Sequence, residues 1–388
     1  MSRRAFVVVA DACGVGALPD AADYGDAGSN TLEHVAQAVG GLQLPVLERL
    51  GLGSIAALDG VAPTRTPVLH GRLAALGPGK DSTTGHWELM GAIAPEPLPT
   101  YPNGFPEEVV RALERATGRS FICNRPYNGI AAIDDFGAEH LRDGGLILYT
   151  SQDSVLQIAA HVSLLSEVAL AEVCRAARAV MAGEHAIGRV IARPFRGEPG
   201  AFRRTEGRHD FSVPPPGLTY LDELRDAGVP VHAVGKVSDL FAGRGISEAH
   251  PGATNERALR ETTRLIRELD AGLVFTNLVE TDQVYGHRKD VAGFHRALRG
   301  IDGGVGEWLE AVGPEDLLIV TADHGCDPAA AHSDHTREYA PLLASFEGHE
   351  GRRWDGVLSD VGASVLRWLT GADAVALPGT PFVESRVA

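Results

Sequence analysis

The sequence predicts an α/β protein with a mostly parallel sheet, helices on both faces of that sheet, and a smaller α/β unit inserted into it. Three observations predict this. Apolar strand-like runs alternate with helical patterns near both ends of the chain, those runs end in acidic residues, and two proline-rich stretches bracket the middle. A chain of 388 residues also exceeds the usual size of a single hydrophobic core, so two domains are expected.

The first element, AFVVVAD (5–11), is continuously apolar and β-branched and then stops at an acid and Gly14, which reads as a strand buried on both faces. GKDSTTGHWELMG (79–91) follows, with three hydroxyl side chains in a row ahead of a helical pattern starting near Gly85. Taken alone, such a run means a turn or a helix N-cap. After the proline-rich APEPLPTYPNGFP (94–106) come a helix-like EEVVRALERATG, the short strands SFIC and LILYT, the long helical pattern SEVALAEVCRAARAVMAGEH and the strand RVIAR. FRGEPGAFRRTEGRHDFSVPPPG (195–217) has no period and ends in three prolines. The middle is therefore expected to be an inserted cap at 96–216, within a core made of 1–95 and 217–388.

Beyond it, TNERALRETTRLIRELDAG (254–272) reads as a helix with Thr254 as N-cap and Gly272 as its stop. GLVFTNLVETD (272–282) and DLLIVTADHG (316–325) repeat the form of the first strand, and the helical AGFHRALRGIDGGVGEWLEAVG (292–313) separates them.

Composition excludes several classes of function. The 51 acidic against 35 basic side chains give a net charge of −16, which argues against a nucleic-acid or anionic-membrane surface. Cys13, Cys123, Cys174 and Cys326 are scattered, with no C-x-x-C pair, which fits a reducing, cytoplasmic setting. The apolar run at the N-terminus is interrupted at Asp11, too early for a signal peptide, and no later run approaches membrane-spanning length.

Ligands of open α/β sheets bind beyond the carboxyl ends of the strands. Asp11, Asp282 and Asp323 end the three apolar strands, His324 follows Asp323, and His287 and His335 lie five and eleven residues after Asp282 and His324. Most of the 15 histidines, His34, His70 and His140 among them, read as ordinary core or surface residues. Three carboxylates converging on one edge need a compensating cation, so the set predicts a metal site. With oxygen and nitrogen donors and no thiolate, it suits manganese, magnesium or zinc, and six ligands are enough for two ions. Two ions roughly 3.5–4 Å apart would clamp the attacking and leaving oxygens of a phosphoryl displacement. A hydroxyl of the 82–84 run beside them would be an activated nucleophile.

ADACGVG, GKDSTTGHWELMG, YTSQDSVLQIAAH, GRVIARPFRGEPGAF, RHDF, GKVSDLF, GHRKD, TADHGCDP and DHTREYAPLL, in order over nearly the whole chain, together resemble the phosphopentomutases of the alkaline phosphatase superfamily. TADHG indicates the superfamily, and KDSTTGHWE and DHTREY point to the mutases. The resemblance implies an alkaline-phosphatase-like core and two ions, most often manganese. Asp11, Asp323 and His324 would hold one, and Asp282, His287 and His335 the other. The residue directly after the Lys-Asp pair would be the phosphorylated nucleophile, which is Ser82 where the family commonly has threonine.

The resemblance also implies interconversion of ribose 1-phosphate and ribose 5-phosphate, and of the 2-deoxyribose pair, in nucleoside and pentose phosphate metabolism. A sugar bisphosphate such as glucose 1,6-bisphosphate would be the activator. From below, six arginines and two acids between Arg189 and Arg208 make a basic island suited to gripping a phosphate. The resemblance selects Arg193 and Arg208 for that grip, and Ser151, Asp153 and Lys236 for contacts to sugar or phosphate. Cys326 and His332 read as neighbours of ligands. The competing readings are a cofactor-independent phosphoglycerate mutase, a plain metal-dependent phosphatase or sulfatase, and a catalytically silent phosphosugar-binding protein.

Overall fold

The computed structural model describes residues 3–151, 154–252, 254–348 and 351–384. These fall into two compact units, one built from Met1–Glu96 and Pro215–Ala388, the other from Pro97–Pro214.

The larger unit holds an eight-stranded sheet in the order Glu248–His250, Val231–Val234, Gly272–Leu278, Arg4–Ala10, Asp316–Thr321, Ala340–Ser345, Leu69–Ala74 and Gly356–Val357. All pairings are parallel except those of Ala340–Ser345, which runs against both neighbours. Successive side chains of a strand point to opposite faces, so the complete burial of Gly272–Leu278 and Asp316–Thr321 means that both faces of the sheet are covered. Asn255–Glu268 packs on Gly272–Leu278, and Asp360–Thr370 packs on the central strands. This is the mostly parallel α/β core that the apolar runs predict.

Side-chain caps set the starts of several helices. Thr254 caps Asn255–Glu268 by accepting from Arg257 N–H. That helix ends at Glu268, however, and Gly272 opens the next strand at φ +114°, so the glycine serves the strand entry and not the helix stop. The helix expected near Gly85 begins at Ser82, because the Asp81 carboxylate accepts from the N–H groups of Thr83 and Thr84.

The smaller unit has a sheet ordered Phe121–Pro126, Leu146–Thr150, Val155–His161, Arg189–Arg196, Arg203–Arg204, with His209–Ser212 also pairing on Arg189–Arg196. Val109, Leu113, Leu170 and Ala177 bury one of its faces, and Ala132 and Ile133 bury the other. The stretch 195–217 thus contains two strands, of two and four residues, too short to show a period.

One buried cation ties the loops of the larger unit together. Arg337 donates to both oxygens of Asp20 and to the carbonyls of Ala75, Gly77 and Gly79, and stacks over Tyr24. Those carbonyls belong to the segment leading into the Ser82 helix. Arg337→Ala leaves them without their donor and is expected to cost about 2–4 kcal/mol, read as a lower urea midpoint; an unchanged midpoint would show that the loop finds other donors.

Candidate active site

The parallel register brings the acids level. Ala10 pairs with Leu278 and Val9 with Thr321, so Asp11 and Asp323 leave the sheet at the same height. Asp11 extends the ladder by one bond, its N–H donating to the Leu278 carbonyl (3.2 Å). Ala12 then takes a left-handed turn (φ +62°) and donates its N–H to Asp323 Oδ1 (3.2 Å).

A π-turn, Thr281–Gly286, follows the strand Gly272–Leu278. His287 N–H closes it on the Asp282 carbonyl (3.3 Å). In an α-helix residues five apart are rotated by roughly 140°; the wider turn carries them to one side. Asp282 Oδ1 therefore lies 3.4 Å from His287 Nε2, and also 3.3 Å from His335 Nε2. On the other side, His324 Nε2 lies 3.3 Å from Asp11 Oδ1 and 3.5 Å from Asp323 Oδ2. The rings of His324 and His335 join the two groups, 4.2 Å apart between centroids.

These distances fit bound cations. Two donors each about 2.1 Å from a shared ion sit roughly 3.0–3.5 Å apart. Both imidazoles are also oriented for ligation, since Nδ1 of His324 faces the Gly325 carbonyl (2.9 Å) and Nδ1 of His287 the Ser333 carbonyl (2.8 Å). The Nδ1–H bond leaves Nε2 as the lone pair turned to the acids. Two groups, Asp11–Asp323–His324 and Asp282–His324–His335, each place their donor atoms within 4.8 Å of one another.

Electrostatics point the same way. Asp11, Asp282 and Asp323 are all buried. Among the described residues, Asp282 Oδ1 faces only the imidazoles of His287 and His335, and Asp323 Oδ2 only those of His86 and His324, a sparse environment for buried carboxylates. Burial would push the Asp282 carboxyl up, but His335, His287 and His324 hold it well below the carboxylate range. Burial likewise opposes charge on His324, yet Asp323, Asp11 and Asp282 raise it well above an ordinary imidazole. The cluster demands positive charge, and divalent ions meet that demand.

Of the three neighbouring hydroxyls, the Ser82 hydroxyl meets this cluster. Its Oγ donates to Asp11 Oδ1 (3.2 Å) and lies 3.1 Å from His324 Nε2. The Thr84 hydroxyl is committed to Asp81 Oδ2 (2.7 Å). Gly85 permits the approach, because a Cβ there would stand 2.6 Å from the Asp323 carbonyl oxygen.

Two positioning residues escape the sequence reading. Asn277 donates to Asp11 Oδ2 (2.9 Å) and so turns the carboxylate. His86, fully buried, sets Nδ1 2.8 Å from the Ser82 carbonyl and 3.0 Å from Asp323 Oδ2. Its position four residues after Ser82 on a helix was the available signal. Cys326 Sγ falls within a third group with Asp282 and His287, and burial raises its thiol so that it stays protonated. His332 belongs elsewhere, with Nε2 2.9 Å from Asp26 Oδ1.

Of the remaining candidates, Lys236 belongs to the larger unit. Lys236 opens the short helix Val237–Leu240, at the carboxyl edge of the same sheet. Ser151, Arg193 and Arg208 belong to the smaller unit, and Asp153 lies outside the described residues. Within that unit, Arg208 is paired in bidentate fashion with Asp210 (2.7 and 2.6 Å), whereas Arg193 Nε bonds to the neutral Gln157 (3.1 Å). Burial and the like charge of Arg208 push Arg193 down to about 10. A half-buried guanidinium beside a second one has a reason to accept an anion.

The chain matches the Metalloenzyme superfamily model over residues 3–371. It is 48% identical to a phosphopentomutase of Carboxydothermus hydrogenoformans over 88% of each chain. It is 47% identical to one of Anaeromyxobacter sp. over 95% of this chain and 100% of the relative, and 45% identical to one of Acetivibrio thermocellus over 95% and 96%. Among solved structures, PH0037 of Pyrococcus horikoshii shares the fold at a TM-score of 0.50 and 14% identity, covering 96% of this chain and 98% of its own. A phosphoglycerate mutase of Leishmania mexicana aligns at a TM-score of 0.48 and 13% identity over 98% and 97%.

Two outcomes test the site. Asp282→Ala removes the acid shared by His287 and His335, and metal analysis after dialysis against Mn2+ should find one ion fewer than in the wild type; a full complement takes Asp282 off the ligand set. His86→Ala should weaken metal binding about 10–100-fold in a fluorescence competition titration, while unchanged affinity would reduce His86 to a packing residue.

Proposed function

The chain belongs to the phosphopentomutases of the metalloenzyme superfamily and is an isomerase, and on that premise we propose that it interconverts ribose 1-phosphate and ribose 5-phosphate, with their 2-deoxy counterparts, through a phosphorylated Ser82. The observation that carries the residue assignment is the Ser82 hydroxyl set between Asp11 and His324 at the edge of a six-ligand cluster.

Asp11, Asp323 and His324 would hold one divalent ion, and Asp282, His287 and His335 the other, their oxygen and nitrogen donors suiting manganese. Such ions supply two things when bound: a lower pKa for an adjacent hydroxyl, and charge to offset that of a transferring phosphoryl group. The protein's own groups do the rest. The Asp81 cap fixes the first turn of the Ser82 helix, so the hydroxyl is presented at a constant angle. Asn277 and His86 hold Asp11 and Asp323 in place.

The phosphoryl group on Ser82 Oγ passes to the free hydroxyl of the sugar phosphate. The Oγ–P bond breaks, a new O–P bond forms, and a 1,5-bisphosphate results, its former hydroxyl proton left with the serine. Ser82 then takes the phosphoryl group from the other end of the sugar, returning that proton, and the isomer leaves. A bisphosphate such as glucose 1,6-bisphosphate would first charge the serine. Arg193 and Arg208 would grip the phosphate that is not being transferred, with Ser151, Asp153 and Lys236 as further sugar or phosphate contacts. The insufficiently compensated charge of Arg193 supports that role. The four free cysteines support a cytoplasmic setting. No helix among the described residues is long and apolar enough to cross a membrane.

Phosphorus NMR of ribose 1-phosphate with manganese-loaded protein tests the activity. Ribose 5-phosphate should form, faster with a trace of glucose 1,6-bisphosphate; inorganic phosphate alone would make the protein a phosphatase. Ser82→Ala should abolish turnover at unchanged metal content, and survival of activity in Ser82→Ala together with its loss in Thr83→Ala would move the nucleophile.

A further inference from the structure

The far edge of the core sheet carries a second cluster of metal-type donors that the mutase chemistry does not use. His232 lies on Val231–Val234 and is the register partner of Glu248 on the edge strand Glu248–His250. His250 stands two residues beyond Glu248 and so points to the same face. The three donors converge. His232 Nδ1 is 3.1 Å from His250 Nε2, and the Glu248 oxygens are 3.7 Å from each of those nitrogens. Their ligating atoms all lie within 4.8 Å of one another.

We propose that this edge binds one divalent transition-metal ion of the zinc type through His232 Nδ1, His250 Nε2 and the Glu248 carboxylate, with water completing the shell. Donors about 2.0–2.1 Å from a tetrahedral ion stand roughly 3.3–3.4 Å apart, and the observed separations bracket that figure. A simple imidazole–imidazole hydrogen bond would account for the 3.1 Å contact alone. It leaves unexplained why a carboxylate sits equidistant from both nitrogens, too far to bond either and near enough to share an ion with them.

The surroundings complete the arrangement. His250 Nδ1 faces Glu261 Oε1 (2.8 Å) on Asn255–Glu268, a carboxylate–imidazole pair that fixes the tautomer and turns the Nε2 lone pair inward. Arg264 in turn neutralises Glu261 (2.6 Å). The two imidazoles are nearly covered, while Glu248 is 61% exposed and offers an entry path from solvent.

This site is separate from the catalytic cluster. His232 is level with Val274, four residues before Leu278 at the strand end, on the order of 13 Å along the strands. An ion here would pin the sheet edge, since Gly235 N–H, at the turn into Lys236, bonds to the His250 carbonyl (3.1 Å).

Zinc content after equilibrium dialysis in a chelator-buffered Zn2+ solution tests the proposal on the full chain. The wild type should retain one Zn2+ more than His250→Ala. Glu248→Gln changes an exposed side chain and leaves folding intact, and it should weaken that same ion's binding about tenfold or more. Asp282→Ala should keep the extra ion, because its loss concerns the other cluster. Equal zinc content in wild type and His250→Ala, or unchanged affinity in Glu248→Gln, overturns the site.

Discussion

Three carboxylates are buried within reach of one another at the carboxyl edge of a parallel sheet, and the rest of the molecule is arranged around that repulsion. Asp11, Asp282 and Asp323 come from strands that are far apart in the chain and adjacent in space. Water cannot solvate them there, and among the described residues Asp282 Oδ1 and Asp323 Oδ2 face only imidazole nitrogens. Such a cluster is tolerable only if cations enter it. The imidazoles of His287, His324 and His335 would then serve as neutral donors completing the shells, as we propose, with Nδ1 of His287 and His324 directed at backbone carbonyls.

A second set of buried groups gives that edge its rigidity. Glu338 accepts from Gly16 N–H, Thr31 N–H and the hydroxyls of Thr31 and Thr336, binding the first loop to the strand that carries it back. Burial raises its carboxyl, so these donors are what make its position acceptable. Asp26 gathers Lys80, His332 and the Arg337 N–H, while Arg337 reaches the carbonyls before the Ser82 helix. The loop bearing the hydroxyl is therefore held from both sides by the segment that also carries His335. Side chains so fixed need little reorganisation when charge develops nearby.

Charge is distributed unevenly within each unit. The core concentrates carboxylates at one edge, while the inserted unit concentrates guanidinium groups on and after Arg189–Arg196. Asp210 pairs with Arg208 and, more distantly, Arg189, while half-buried Arg193 faces the neutral amide of Gln157. A protein with a net charge of −16 can bind an anion because the balance is local.

Much of this was legible in the sequence because the relevant signals are local. Continuous apolar runs ending in acids set the parallel core strands, and Thr254 and Ser166 announce helix starts by their own hydrogen bonds. The D-x4-H spacing of Asp282 and His287 is also local, being closed by a single π-turn. What the residues alone left open were matters of register and close approach. Whether Ser82, Thr83 or Thr84 faces the acids depends on the Asp81 cap, which starts the helix three residues before Gly85 and ties up the Thr84 hydroxyl. His86 and Asn277 act on acids more than 200 residues distant, and His232, Glu248 and His250 meet only because two short strands pair in one register. Sequence thus determined the three central core strands and the kinds of donor at their ends, since periodicity and capping act over a few residues. The tertiary structure decided which donors share a point in space, because that follows from strand order and register across the whole chain.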